Sequence, residues 1–115
     1  MANESRTEQR IPCDIILNKV QGGHMHVCRA TNISLGGIRL QRLLEPVQAQ
    51  KGKRIRLQLS LVEDEDPIWV SATCVYEDEE YVGLRFTHIS HQHFVKLRQW
   101  LNQGEVVAQR ESVAA

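Results

Sequence analysis

Aromatic residues are scarce in this chain: only two Phe, two Trp and two Tyr occur among its 115 residues. The core must therefore be built mainly from Leu, Ile and Val, and a face of aromatic rings on which RNA bases could stack is not expected. Charge of one sign is also lacking, because 14 Lys and Arg balance 14 Asp and Glu. Zero net charge argues against sequence-independent binding of nucleic acid, which needs a strong positive field, but it leaves room for a small basic site.

Long apolar runs and paired cysteines are missing as well. No segment approaches the roughly 18 apolar residues that a membrane-spanning helix requires. The first residues, Met1 to Arg6, are polar and lack the apolar centre of a signal peptide. We therefore expect a cytoplasmic protein without a membrane span. The three cysteines, Cys13, Cys28 and Cys74, form no Cys-x-x-Cys motif, so we expect them to be reduced and mostly buried.

What the chain does contain is a series of short segments in which apolar and polar residues alternate, as is typical of half-buried β-strands. The clearest is 54–62, where every second residue from Ile55 to Leu61 is apolar. The adjacent Gly22 and Gly23 predict a hairpin turn, because both can adopt a positive φ. The predicted strands are 11–20, 24–30, 38–44, 54–62, 68–74 and 81–87.

After the last strand the apolar period changes from two to about 3.6, which predicts a helix. Phe94, Leu97 and Leu101 fall on one face of it. Ser90 is a suitable N-cap residue, and Gly104 is the expected end.

The flanking segments carry no such period. Residues 1–10 are almost wholly polar and predict a flexible N-terminal arm, and 104–115 predict a frayed tail. Residues 11–103 then form one folded domain, in keeping with the length of the chain. Six strands and one helix favour an antiparallel sandwich or a small barrel, with the helix covering a face or an open end.

Two polar motifs stand out in this β-rich pattern. One is a pair of arginines four residues apart, Arg6 and Arg10, and the other is the turn Asn32 to Gly37, which reads Asn-Ile-Ser-Leu-Gly-Gly. Arginine presents a planar fork of donors that matches phosphate oxygens or the O6/N7 edge of guanine. Small polar residues and glycine let a ligand approach the backbone closely. Singly, such motifs are usually solvated charges or a plain loop; their joint order and spacing indicate an anion-binding clamp.

In that order the two motifs resemble the paired signature of PilZ domains, Arg-x-x-x-Arg followed by Asp/Asn-x-Ser-x-x-Gly. The resemblance extends to Val82-Gly83-Leu84-Arg85-Phe86 and to the closing helix, and it covers about residues 5–103. It implies an all-β fold: a six-stranded antiparallel PilZ-type β-barrel with a C-terminal α-helix. It also implies a receptor for the bacterial second messenger cyclic di-GMP.

The same resemblance assigns ligand-binding roles to individual residues. It implies that the two arginines hold guanine edges and phosphates, and that the second motif supplies polar and backbone contacts. The position before the first arginine is Ser5 rather than a further arginine, which favours one ligand per site, although Arg29 and Arg39 flank the second motif and could compensate. The expected cyclic di-GMP-binding residues are Arg6, Arg10, Asn32, Ser34, Gly36 and Gly37.

We expect this receptor to have no enzymatic activity, no cofactor and no metal. Its arm would become ordered on ligand binding and signal to a protein of a motility, pilus or exopolysaccharide system. One alternative is a PilZ-fold interaction module that does not bind the nucleotide; another is a small β-barrel that binds RNA. Five histidines invite a metal hypothesis: His24, His26, His88, His91 and His93. The first two would share one strand face, but the other three have no evident carboxylate nearby to support them, so we expect surface side chains.

Overall fold

A computed structural model of the protein describes residues 10–43 and 52–114, with side chains through residue 103. Of the expected arm at 1–10, only Arg10 belongs to these residues, and most of the loop after the third strand lies outside them. The elements in chain order are β1 (Ile11–Gln21), β2 (His24–Ile33), β3 (Gly37–Arg42), β4 (Arg54–Leu59), β5 (Ile68–Glu77), β6 (Tyr81–Ile89) and α1 (His91–Ala114).

The six strands close into one antiparallel barrel, with neighbours in the order β1-β2-β3-β6-β5-β4. Each strand has a neighbour on both sides, although β1 meets β4 only from Asn18 to Val20, so closure reduces the sheet edge that is open to aggregation. The predicted all-β, six-stranded antiparallel barrel with a C-terminal helix is therefore confirmed.

Alternation of apolar residues fixes which face of each strand points into the barrel. In β4, Ile55, Leu57 and Leu59 are fully buried, whereas Arg54 and Arg56 are exposed. Burying one such aliphatic side chain contributes about 1.5–3 kcal/mol. The predicted segment 54–62 is too long, because pairing with β5 ends where Leu59 meets Ile68.

The hairpin turn between β1 and β2 is confirmed. Gln21 and His24 are register partners, so the loop contains just Gly22 and Gly23. Their φ angles of 58° and 82° lie in the left-handed region, which favours glycine.

A buried arginine at the opposite end of the barrel from the β2–β3 turn was not predicted from the sequence. The guanidinium of Arg42 donates to Glu77 Oε2 at 3.0 Å and to the carbonyl of Asp78. Its backbone N–H also donates to the Glu80 carbonyl at 2.9 Å. Because a buried charge needs such partners, Arg42 ties the end of β3 to the β5–β6 turn.

The helix α1 begins as predicted but ends later. The Oγ atom of Ser90 accepts the N–H of His93 at 3.2 Å, which is the expected N-cap bond, and Leu97 and Leu101 are buried against the barrel. The expected end at Gly104 is wrong, because the helix continues to Ala114. Residues 105–114 contain neither Pro nor Gly, and one interior Gly costs a helix only about 1 kcal/mol.

The remaining sequence expectations concern single residues and the membrane. All three cysteines are free; Cys28 and Cys74 are buried and Cys13 is half-buried, as expected. Over the part of the chain that the structure describes, no helix is long and apolar enough to cross a membrane.

Candidate functional site

The two polar motifs meet at the start of β1. Arg10 directly precedes this strand, and the register of Pro12 with Asn32 places its first residues beside the end of β2. The Nη1 atom of Arg10 donates to Oδ1 of Asn32 at 2.9 Å on the protein surface. The structure thus brings Arg10 to the second motif, while Arg6 lies outside the described residues.

Ser34 shapes the turn between β2 and β3 from the inside. Its side chain is completely buried. Its Oγ atom accepts the N–H groups of Gly36 and Gly37, both at 3.2 Å, and its own N–H donates to the Gly37 carbonyl at 2.9 Å. The hydroxyl therefore acts on the backbone of the turn, and it fixes the positions of Gly36 and Gly37.

The two glycines of this motif lie close against β6. The Gly36 carbonyl accepts the N–H of Phe86 at 2.8 Å. A Cβ atom at Gly37 would lie 2.5 Å from the carbonyl oxygen of Leu84, a separation that real Cβ atoms do not show. Glycine is thus needed here for close packing of two strands, and the turn is held in place by β6 as well as by Ser34.

Further arginines lie on the outer face beside this turn. Arg39 is the register partner of Asn32, and Arg85 is that of Gly37. Directly paired residues of antiparallel strands project from the same face, so both arginines lie on the outer face; Arg85 is level with the turn, whereas the Arg39 guanidinium points away from it, toward Tyr81. Arg29 is engaged elsewhere, in an ion pair with Asp14 at 3.1 Å.

Arg39 is held in a fixed position. Its guanidinium carbon lies 3.9 Å from the centre of the Tyr81 ring, a cation–π contact that orients the planar group. Its Nε atom is buried and makes no hydrogen bond to any described residue. The sequence marked Arg39 only as a neighbour of the motif, and its stacking on Tyr81 depends on strand pairing that the sequence does not reveal.

Arg85, which lies beside the turn, was not singled out from the sequence. The alternation of Val82, Leu84 and Phe86 indicated that Arg85 faces outward, and this signal was available in the sequence. Its register with Gly37 was not available, because pairing between β3 and β6 joins residues 40 or more positions apart.

The chemistry of the site is that of binding an anion. The donors on the outer face beside the turn are guanidinium groups and the side-chain amide of Asn32, since the N–H groups of Gly36 and Gly37 are already bonded to Ser34. The nearest thiol is a poor nucleophile, because burial, and secondly the charge of Asp14, raise the pKa of Cys13 from 9.0 to about 11. Among the residues that the structure describes, no three His, Cys, Asp or Glu side chains are grouped as metal ligands would be.

Comparisons with known proteins agree with this architecture. A family model described as PilZ domain matches residues 4–103, and no curated protein sequence matches the chain. The PilZ domain of YcgR from Escherichia coli, solved with cyclic di-GMP, aligns with a TM-score of 0.74 at 15% identity, over 94% of this chain and 97% of that one.

A second solved structure is the inhibitor of motility MotI, also called DgrA, from Bacillus subtilis. It aligns with a TM-score of 0.73 at 22% identity, over 88% of this chain and 51% of that one, so this chain spans about half of MotI. The PilZ domain of CeSA, from a cellulose-synthesizing bacterium, aligns with a TM-score of 0.65 at 15% identity, over 83% of this chain and 97% of that one. At these identities the structural likeness establishes a shared fold.

Proposed function

The chain belongs to the PilZ domain family, whose model matches residues 4–103, and on this premise we propose that it is a receptor for cyclic di-GMP. The ligand lies on the outer face of the barrel between the start of β1 and the β2–β3 turn. Arg6 and Arg10 bind it from the N-terminal side, and Asn32 with the turn around Ser34 binds it from the other side. The presence of this nucleotide on the YcgR PilZ domain supports the choice of ligand.

The observation that carries this proposal is the hydrogen bond of 2.9 Å between Arg10 and Asn32. It joins the two motifs above a turn that Ser34 has already organised. The part of the site formed by Arg10, Asn32 and the turn is in place before the ligand arrives, so this part loses less conformational entropy on binding. The Asn32 amide nitrogen remains available as a donor, because Arg10 occupies only the oxygen.

Cyclic di-GMP has the chemistry that this surface can recognise. Its two phosphates and the O6/N7 edges of its two guanines are acceptors for arginine forks. Each hydrogen bond to a charged group contributes about 1.5–3 kcal/mol, while ordering a flexible arm costs about 1–2 kcal/mol per residue fixed. The difference between these two contributions is compatible with a binding free energy of about −8 kcal/mol, which corresponds to a micromolar dissociation constant.

The proposed output is a change of surface rather than a reaction. Binding pins the arm at 1–10 against the barrel through Arg6 and Arg10, and the ordered arm together with the ligand forms a new surface for a partner protein. The partner would belong to a motility, pilus or exopolysaccharide system, and the protein would act as an adaptor without catalysing a step.

Calorimetric titration with cyclic di-GMP tests the proposal. We expect saturable binding at micromolar concentration for the natural chain and a loss of at least about tenfold for Arg10→Ala, because each lost charge-assisted bond is equivalent to 1.5–3 kcal/mol. Arg54→Ala is the matched control: it removes the same charge from the exposed face of β4, away from the site, and should bind normally. Absence of binding by the natural chain would contradict the proposal and favour a PilZ-fold interaction module without nucleotide.

A further inference from the structure

An open cavity of about 300 Å³ lies on the other side of β6 from the β2–β3 turn. It is bounded by β4, β5, the end of β6 and the first turn of α1, none of which contains a residue of the two arginine and turn motifs. Its polar and aromatic lining consists of Arg56, Trp69, Ser71, His88, Ser90 and His93.

Three of these residues form a row across the outer face of the barrel. Arg56 on β4 is the register partner of Ser71 on β5, and Ser71 is the register partner of His88 on β6. Because register partners project from one face, a guanidinium, a hydroxyl and an imidazole stand side by side. The row follows from strand pairing, so it does not depend on the conformation of a loop.

Arg56 is oriented but not neutralised. Its guanidinium carbon lies 4.6 Å from the centre of the Trp69 ring, which holds the planar group in place. Arg56 forms no ion pair with any residue that the structure describes, and no carboxylate lines the cavity. The donor edge of Arg56 is therefore free for a ligand.

The other groups of the cavity are donors as well. Nδ1 of His93 accepts the backbone N–H of Trp69 at 3.0 Å, so the proton of the neutral ring is on Nε2. The Oγ atom of Ser90 accepts the N–H of His93, which leaves the Ser90 hydroxyl hydrogen free to donate. Donors thus surround the space from β4, β5 and α1.

We propose that this cavity is a second binding site, for a small molecule that bears a phosphate group, and that Arg56 is its principal cation. A phosphate offers oxygens in several directions and so suits donors that come from three elements, whereas a carboxylate presents two oxygens in one plane. The cavity between α1 and the β4–β5 loop is less suited to an anion, because the carboxylates of Glu65 and Asp66 line it together with Lys96. The phosphate site is independent of the proposed cyclic di-GMP site.

The test is an NMR titration of the ¹⁵N-labelled full chain with inorganic phosphate, with chloride at matched ionic strength as reference. We expect saturable shifts of the Trp69 indole N–H and of the amides of Ser71 and Ser90, with a dissociation constant on the order of millimolar for this minimal probe. Trp100→Phe distinguishes the indole signals, since the chain has two tryptophans.

Two matched variants separate a site from a general electrostatic effect. Arg56→Gln should weaken phosphate binding at least about tenfold, as expected for loss of a charge-assisted bond, whereas Arg54→Gln, two residues away on the same exposed face, should not. Ser71→Ala, which leaves the charge unchanged, should weaken binding too. Shifts that do not saturate in the natural chain, or equal losses in both arginine variants, would overturn the proposal.

Titration of the Arg56→Gln variant with cyclic di-GMP tests whether the two sites are independent. Arg56→Gln should bind the dinucleotide as the natural chain does. A parallel loss of both ligands in a well-folded Arg56→Gln chain would mean that the cavity belongs to one extended site, and the second site would be refuted. If the natural chain binds phosphate but no cyclic di-GMP, the second site stands while the proposed function fails.

Discussion

Ser34 is the residue on which the shape of the β2–β3 turn depends most directly. Its replacement by Ala removes the acceptor of two backbone N–H groups, at Gly36 and Gly37. Leaving a buried donor unsatisfied costs about 1–3 kcal/mol, so Ser34→Ala should lower the free energy of unfolding in urea by about this amount and weaken cyclic di-GMP binding. The exposed Ser60 provides the control: Ser60→Ala should change neither, and equal stability of the two variants would contradict this role of Ser34.

Gly37 and Gly83 offer a comparison of two close contacts. A Cβ atom added at Gly37 would meet the backbone oxygen of Leu84. A Cβ atom added at Gly83 would meet the ring of Tyr76. Tyr76 is 42% exposed and its ring can rotate away, whereas the backbone of β6 cannot. Gly37→Ala should therefore be the more destabilising change, by about 1–3 kcal/mol as for other overpacked sites, in thermal or urea unfolding. The reverse order would show that β6 can move away from β3.

Cys13 should react slowly with alkylating reagents at neutral pH. Its pKa is raised from 9.0 to about 11, and only the thiolate attacks. Burial in the folded chain favours the protonated thiol. The contribution of this group to the free energy of unfolding is therefore fully present below pH 9 and is lost as the pH rises through 11. Peptide mapping by mass spectrometry after iodoacetamide pulses should give a midpoint near pH 11 for the folded chain. A midpoint at the ordinary thiol value would contradict the burial of Cys13.

At the level of elements, α1 is attached to the barrel by a few aliphatic side chains. Leu97 is fully buried, while Val95 on a neighbouring face is 37% exposed. Leu97→Ala should lower the free energy of unfolding by about 2–5 kcal/mol, as large-to-small changes in a core do, and Val95→Ala should change it by much less. A cost for Leu97→Ala as small as that expected for Val95→Ala would show that the packing of α1 does not contribute to stability.

The elements themselves were largely predictable, because each is encoded locally. Alternating residues such as Ile55, Leu57 and Leu59 predicted β4, and the two turn glycines predicted the β1–β2 hairpin. The extension of α1 past Gly104 was not predicted, because a glycine can both end a helix and be tolerated within one. The sequence signal at such a position does not decide between the two.

At the level of the whole molecule, the contacts between segments that are distant in sequence could not be predicted. The order of strands around the barrel brings β3 beside β6 and β1 beside β4, and no local pattern specifies these neighbours. The contact of Arg42 with Glu77 and the stacking of Arg39 on Tyr81 both depend on the placement of β3 beside β6. The arginine and turn motifs were recognisable because their sequence spacing resembles that of a family.

Hydrogen exchange with and without cyclic di-GMP tests the central claim most directly, because it asks whether the whole molecule binds the ligand and where. We expect slower exchange in two separate segments, 5–12 and 32–37, with little change in the hairpin turn at Gly22 and Gly23. Protection confined to any other part of the barrel, or none at saturating ligand, would contradict the claim that Arg10 and the turn of Ser34 form the binding site.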